Sequence, residues 1–181
     1  MIQNAELEKL KFPIGKFVAP LSYTAELLQT FKESIRDFPG KLRAETQHLS
    51  DEQLDTPYRP DGWTVRQVIH HCADSHMNGF TRMKLALTEN KPIVKPYDQD
   101  AFAHLSDSKM PIDVSLNIID GVHARWYDIL CHLKESELER SYIHPEYNKE
   151  VPIKQFIAQY AWHGRTHLGH ITSLKQRMAW K

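Results

Sequence analysis

Trp162-His163-Gly164-Arg165-Thr166-His167-Leu168-Gly169-His170-Ile171 places three histidines at i, i+4 and i+7 inside a run with the apolar period of a helix. At about 3.6 residues per turn the three imidazoles share one narrow face. Phe156, Tyr160 and Leu174 continue that face in both directions, so the histidines are directed at a core. Polar rings raise the free energy of a core unless something there satisfies them. A divalent metal does so, because neutral imidazole is a good ligand and an i, i+4 pair presents two nitrogens to one ion. Two ligands make a weak site, so a third is expected from another element.

Upstream of this stretch, Pro152 is expected to open the last helix at its first position, where a proline costs little, with Ile153, Phe156, Ile157 and Tyr160 inward. Ser141-Tyr142-Ile143-His144 and Lys149-Glu150-Val151 flank a Pro145-Glu146-Tyr147-Asn148 turn and predict a small β-hairpin. A third helix is expected from about Ser115, with Leu116, Ile119, His123, Trp126, Leu130 and Leu133 on its inner face. Residues 91–114 contain Pro92, Pro96 and Pro111 and read as a long crossover with one helical turn around residues 98–105. The second helix begins at Thr64, where Gln67 completes a capping box and Trp63 can staple onto Val68. Its stripe of Val65, Val68, Ile69, Cys72, His76, Phe80, Met83 and Leu87 runs to about Glu89. The first helix is expected from Ser22 and carries Tyr23, Leu27, Phe31, Ile35, Phe38 and Leu42 inward, with a kink expected at Pro39-Gly40. Ser50-Asp51-Glu52-Gln53 reads as a short capped turn, and residues 1–20 as an extended N-terminal arm.

These elements predict an all-α fold, a four-helix bundle with a long crossover and a hairpin before the last helix, in a single domain spanning residues 1–181. Lys plus Arg and Asp plus Glu both count 23, so no basic excess argues for nucleic acid or a membrane surface. No apolar run has the length of a membrane span, and the charged N-terminus is unlike a signal peptide, which together give a cytoplasmic reading. Cys72 and Cys131 lie beside apolar neighbours and are expected as buried, reduced thiols.

Eleven histidines are the compositional oddity. His48, His104, His123, His132 and His144 are read as hydrogen-bonded core residues or surface residues. A weak internal echo relates Leu49-Ser50-Asp51-Glu52-Gln53-Leu54 to Leu133-Lys134-Glu135-Ser136-Glu137-Leu138, each followed by a helix containing Gln-apolar-Ile. Two helix pairs related in this way bring the second and fourth helices together, where His71 can meet His163 and His167. Periodicity leaves His70, His76 and His170 open as alternatives for the third ligand. Gly164 stands where the metalloprotease signature has its glutamate, which argues against a peptidase.

Trp63-Thr64-Val65-Arg66-Gln67-Val68-Ile69-His70-His71 and His163-x-x-x-His167-Leu168-Gly169-His170-Ile171 resemble the two helix motifs of the DinB/YfiT-like superfamily. Phe12-Pro13-Ile14-Gly15, Leu54-Asp55-Thr56-Pro57-Tyr58-Arg59, Ala73-Asp74-Ser75-His76-Met77-Asn78 and Lys95-Pro96-Tyr97-Asp98 are similar to its YfiT-type metal-dependent hydrolases. The resemblance implies a four-helix bundle, a metal held by His71, His163 and His167, and a homodimer. Leu168 and His170 depart from the Arg-Gly-Gln found elsewhere in the superfamily, so His170 takes no role from those relatives.

The expected function is a metal-dependent hydrolase acting on a small-molecule substrate, with one divalent ion per chain. Zinc is the expected metal, and nickel suits the same ligands. Asp74, near His71, is the candidate for an outer-sphere partner or proton acceptor. Two other readings keep the metal: an S-transferase that activates a low-molecular-weight thiol, and a non-enzymatic metal-binding stress protein. A fourth protein ligand closing the site would favour the last.

Overall fold

The computed structural model of the chain describes residues 4–146 and 148–180. In chain order these form α1 (Asn4–Lys11), α2 (Ala25–Thr46), α3 (Asp51–Leu54), α4 (Val65–Thr88), α5 (Gln99–Ala103) and α6 (Asp113–His132). The antiparallel hairpin β1 (Ser141–His144) and β2 (Lys149–Pro152) and the last helix α7 (Ile153–Arg177) follow. The four long helices make a bundle in which α2 packs on α6 and α7, and α4 packs on the same two. The second and fourth long helices, α4 and α7, are thus neighbours, as the internal echo anticipates. No helix among the described residues is long and apolar enough to cross a membrane.

The start of α4 is held by the side chains that announce it. Thr64 Oγ1 accepts from the Gln67 N–H at 3.1 Å, and Gln67 Oε1 accepts from the Thr64 N–H at 3.0 Å, closing the capping box. The same Gln67 amide donates to the Ala103 carbonyl at 2.8 Å and ties the crossover to the helix. Buried Arg66 donates to Asp51 and Asp55, both at 2.7 Å, and fastens α3 to the base of α4. The crossover also pairs with the hairpin: the Val94 N–H donates to Ile143 O at 3.0 Å, and the Ile143 N–H to Pro92 O at 2.9 Å.

Four details differ from the sequence reading. The N-terminal arm is not wholly extended: residues 4–11 are helical, with Glu6 in the first turn and Lys9 and Lys11 in the last, charges that oppose the helix dipole. The helix α2 begins at Ala25 and not at Ser22, because Thr24 caps it by accepting from the Leu27 N–H at 3.2 Å. Pro152 precedes the first turn of α7, because as the last residue of β2 it keeps the extended ψ that pairs it with Ser141. Cys131 is exposed in the last turn of α6, which leaves Cys72 as the buried thiol. The expected hairpin turn includes Tyr147, which lies outside the described residues; the Asn148 N–H donates to Pro145 O at 3.2 Å.

Two apolar clusters fill the bundle. One gathers Trp126, Phe156, Tyr160 and Met83, the other Phe38, Leu42, Ile69, Leu116 and Ile171. Between them His76 lies against Phe38 of one cluster (centroids 5.0 Å apart) and Tyr160 of the other (5.5 Å). Tyr160 reaches this layer only because Gly79 has no side chain: a Cβ there would overlap the phenol ring. The Tyr160 hydroxyl then donates to the Ser75 carbonyl at 3.1 Å. Alanine at residue 79 is the better helix former by about 0.5–1 kcal/mol, but overpacking costs about 1–3 kcal/mol. We therefore expect Gly79→Ala to lower the midpoint of chemical denaturation.

Candidate metal centre

His71 projects from the second turn of α4, and His163 and His167 from successive turns of α7. The three residues offer one ligand nitrogen each, all within 4.8 Å of one another. His163 Nε2 lies 3.4 Å from His71 Nε2 and 3.2 Å from His167 Nε2. Two nitrogens bound at about 2.0–2.1 Å to a tetrahedral zinc are separated by about 3.3 Å, so both spacings fit a shared ion. His167 Nδ1 is buried without a hydrogen-bond partner among the described residues. Trp63, at the mouth of α4, packs its indole on His71 with centroids 4.6 Å apart and holds the ring in place.

Burial favours the neutral, ligand-competent form of these rings. It pushes His71 down to about 4, and it pushes His163 and His167 well below the ordinary histidine value, with the neighbouring imidazoles adding to the shift. Among the described residues no fourth His, Cys, Asp or Glu joins the group. A cleft of about 610 Å³ instead opens on His163, lined among others by Ser75, Arg82, Tyr97, Gln159 and Tyr160. Ser75 Oγ stands 3.5 Å from His163 Nε2 at its floor.

The three alternative histidines each have other work. His70 Nε2–H donates to the Met110 carbonyl at 3.1 Å, and its Nδ1 lies 2.7 Å from the Ser115 hydroxyl, clasping α4 to α6 and the crossover. His170 Nε2–H donates to the Lys11 carbonyl at 2.9 Å, and its ring stacks on Tyr58 at 4.1 Å, which fastens α1 to α7. His76 turns its Nε2 to His163 Nδ1 at 3.0 Å, on the side of that ring away from His71 and His167. Its place on the apolar stripe of α4 was visible in the sequence, but its partner was not. Of the histidines read as ordinary, His48, His104 and His132 are exposed, and His123 and His144 are buried. Asp74 is half-buried, and its carboxylate makes no hydrogen bond among the described residues. Burial, with Asp107 nearby, raises its pKa.

Residues 35–171 match the DinB superfamily model. The chain belongs to the DinB superfamily. A Bacillus cereus (strain B4264) member named "Putative metal-dependent hydrolase" is 47% identical over 174 residues, covering 96% of this chain and all of that one. A Bacillus mycoides (strain KBAB4) protein of the same description is 46% identical over the same length. The solved structure of YfiT from Bacillus subtilis, described as "a probable metal-dependent hydrolase with an unusual four-helix bundle topology", superposes with a TM-score of 0.93 at 39% identity. That match covers 96% of this chain and 99% of YfiT. Like YfiT, the chain is a four-helix bundle; its own histidine geometry is what suits a metal.

Two outcomes follow from this geometry. In a zinc titration His167→Ala removes one of three nitrogens and should abolish tight binding, whereas His170→Ala should keep near-parental affinity and lower the melting temperature by freeing α1. The reverse ranking would place the site one turn further along α7. For metal-free protein, the unfolded chain takes up protons first as pH falls below about 6.5, because burial lowers the folded-state values. Stability should therefore be intact above that pH and fall progressively towards about 4, where His71 protonates in the folded chain. Thermal melts across that range check it.

Proposed function

We propose that the chain is a metal-dependent hydrolase acting on a small molecule bound in the cleft beside His163. The observation that carries this reading is a three-histidine group with no fourth protein ligand among the described residues, one member of which, His163, lines the cleft. Catalytic zinc sites are arranged in this way, whereas structural ones are closed by a fourth protein ligand. The relatives' descriptions point to the same chemistry. Zinc is the proposed metal, with nickel equally suited to neutral imidazoles. A divalent ion held there would polarise a substrate oxygen and bring the acidity of water towards neutral pH.

The protein's own groups supply orientation and proton handling. The Arg82 guanidinium borders the cleft and is steadied by donating to the Lys95 carbonyl at 2.8 Å. The Tyr97 phenol, pushed up to about 12 by burial, stays protonated and can donate to a substrate oxygen. Asp74 is the proposed proton acceptor, since burial moves its pKa towards the range in which a general base works best. We also propose a cytoplasmic homodimer, in line with the family resemblance; light scattering of the purified protein tests the assembly.

Zinc-loaded protein assayed on a panel of small esters and amides in ¹⁸O-water should place one labelled oxygen in the product without any added thiol. Stoichiometric consumption of an added thiol, with no label incorporated, would instead make the chain a thiol transferase using the same three histidines. With an active substrate, Asp74→Asn should lower kcat by about 10²-fold or more and leave bound zinc unchanged. An unaltered kcat would remove Asp74 from the reaction.

A further inference from the structure

We propose that His76 and His123 are positioning residues in a one-way hydrogen-bond relay, anchored on the Ile35 carbonyl that Pro39 leaves free, which holds the metal-facing Nε2 of His163 unprotonated. The proposal rests on the reading of His163 as a ligand.

The relay takes one residue from each long helix. His123 Nδ1 on α6 lies 2.6 Å from the carbonyl oxygen of Ile35 on α2. His123 Nε2 lies 2.7 Å from Nδ1 of His76 on α4, and His76 Nε2 lies 3.0 Å from Nδ1 of His163 on α7. Only one polarity satisfies every contact. A carbonyl oxygen can only accept, so His123 Nδ1 carries the proton, and a neutral imidazole has just one N–H. His123 Nε2 is then an acceptor and His76 Nδ1 must donate to it. His76 Nε2 in turn accepts from His163 Nδ1–H. That leaves His163 with its lone pair on Nε2, the atom facing His71 and His167 at 3.4 and 3.2 Å.

The opposite polarity would set two acceptors against each other at the Ile35 end and aim an N–H into the ligand cluster. A doubly protonated ring is disfavoured because His76 and His123 are 1% and 2% exposed, among Phe38, Trp126 and Tyr160. Metal-binding histidines commonly give their second N–H to a carboxylate or carbonyl; here the carbonyl is reached through two further rings.

Pro39 explains why that carbonyl is available. In an α-helix the Ile35 carbonyl accepts from the N–H four residues on, and in α2 that residue is the buried Pro39, which has none. The proline inside α2 thus leaves an acceptor aimed at α6, and His123 takes it. A substitution that restores the N–H, Pro39→Ala, gives the Ile35 carbonyl a second donor that competes with His123.

The test begins with metal-free protein carrying ¹⁵N-histidine, above pH 7. Long-range ¹H–¹⁵N spectra should show His123, His76 and His163 all as the Nδ1–H tautomer. Any of the three as Nε2–H overturns the relay, and this arm needs neither metal nor substrate. Zinc affinity, measured against a competing chelator, forms the second arm. His123→Phe and His76→Leu should weaken zinc about 10- to 100-fold and leave His163 without a single tautomer. His76→Gln, whose amide can both donate to His123 and accept from His163, should stay within a few-fold of the parent. Parental affinity in folded His123→Phe and His76→Leu overturns the proposal. Zinc affinity unchanged in His163→Ala, with the parent tautomers as stated, would overturn the ligand reading and leave the relay standing.

Discussion

An imidazole nitrogen enclosed by four helices is costly without a donor, an acceptor or a cation, and the middle of this bundle is arranged to pair most of them, His167 Nδ1 and His170 Nδ1 excepted among the described residues. A purely apolar interior would merge the cluster around Trp126 with the one around Leu42; here a layer of histidines stands between them. Leaving a buried polar group unpaired costs about 1–3 kcal/mol, so several such groups in one layer would consume much of the roughly 5–15 kcal/mol that holds a domain folded. The layer is tolerable because its members are paired with carbonyls, with one another, and, at His71, His163 and His167, are grouped so that one ion can serve all three.

The peripheral elements serve the same layer. The crossover gives its Ala103 carbonyl to Gln67 and its Met110 carbonyl to His70, so it fixes the first two turns of α4, from which His71 projects. The N-terminal arm gives the Gly15 carbonyl to Trp162 and the Lys11 carbonyl to His170, flanking His163 and His167 on α7. Removing either strap would free α4 or α7 to turn and so move the nitrogens of the three-histidine group, and a shift of a few tenths of an ångström would matter to an ion held at metal–nitrogen distances of about 2.0–2.1 Å.

Close packing also limits the chemistry. A Cβ at Gly164 would lie 3.0 Å from the Phe38 ring, so a side chain at the position where metalloproteases carry a glutamate requires that ring to give way. The cleft beside His163 is bounded by α4, the crossover, the hairpin and α7.

Much of this was legible in the residues alone. Helical periodicity located the four long helices, the pair Thr64 and Gln67 marked the start of α4, and i, i+4 spacing singled out His163 and His167, because these are local properties of a chain with a fixed rise and turn. The start of α2, the helical part of the N-terminal arm and the place of Pro152 were not, since caps and strand pairing set them within a residue or two. Periodicity alone left His70, His71, His76 and His170 as equivalent partners, because each lies on or beside a core-facing stripe. Tertiary structure gives them different neighbours: the rotation and rise of one helix against another decide which nitrogen meets a carbonyl, as in His70 and His170, and which meets His163 and His167, as in His71. Pro39 marks in the sequence that the Ile35 carbonyl loses its helical donor, but the carbonyls of Met110 and Lys11 carry no such mark, and only the folded bundle determines which imidazole each of the three meets.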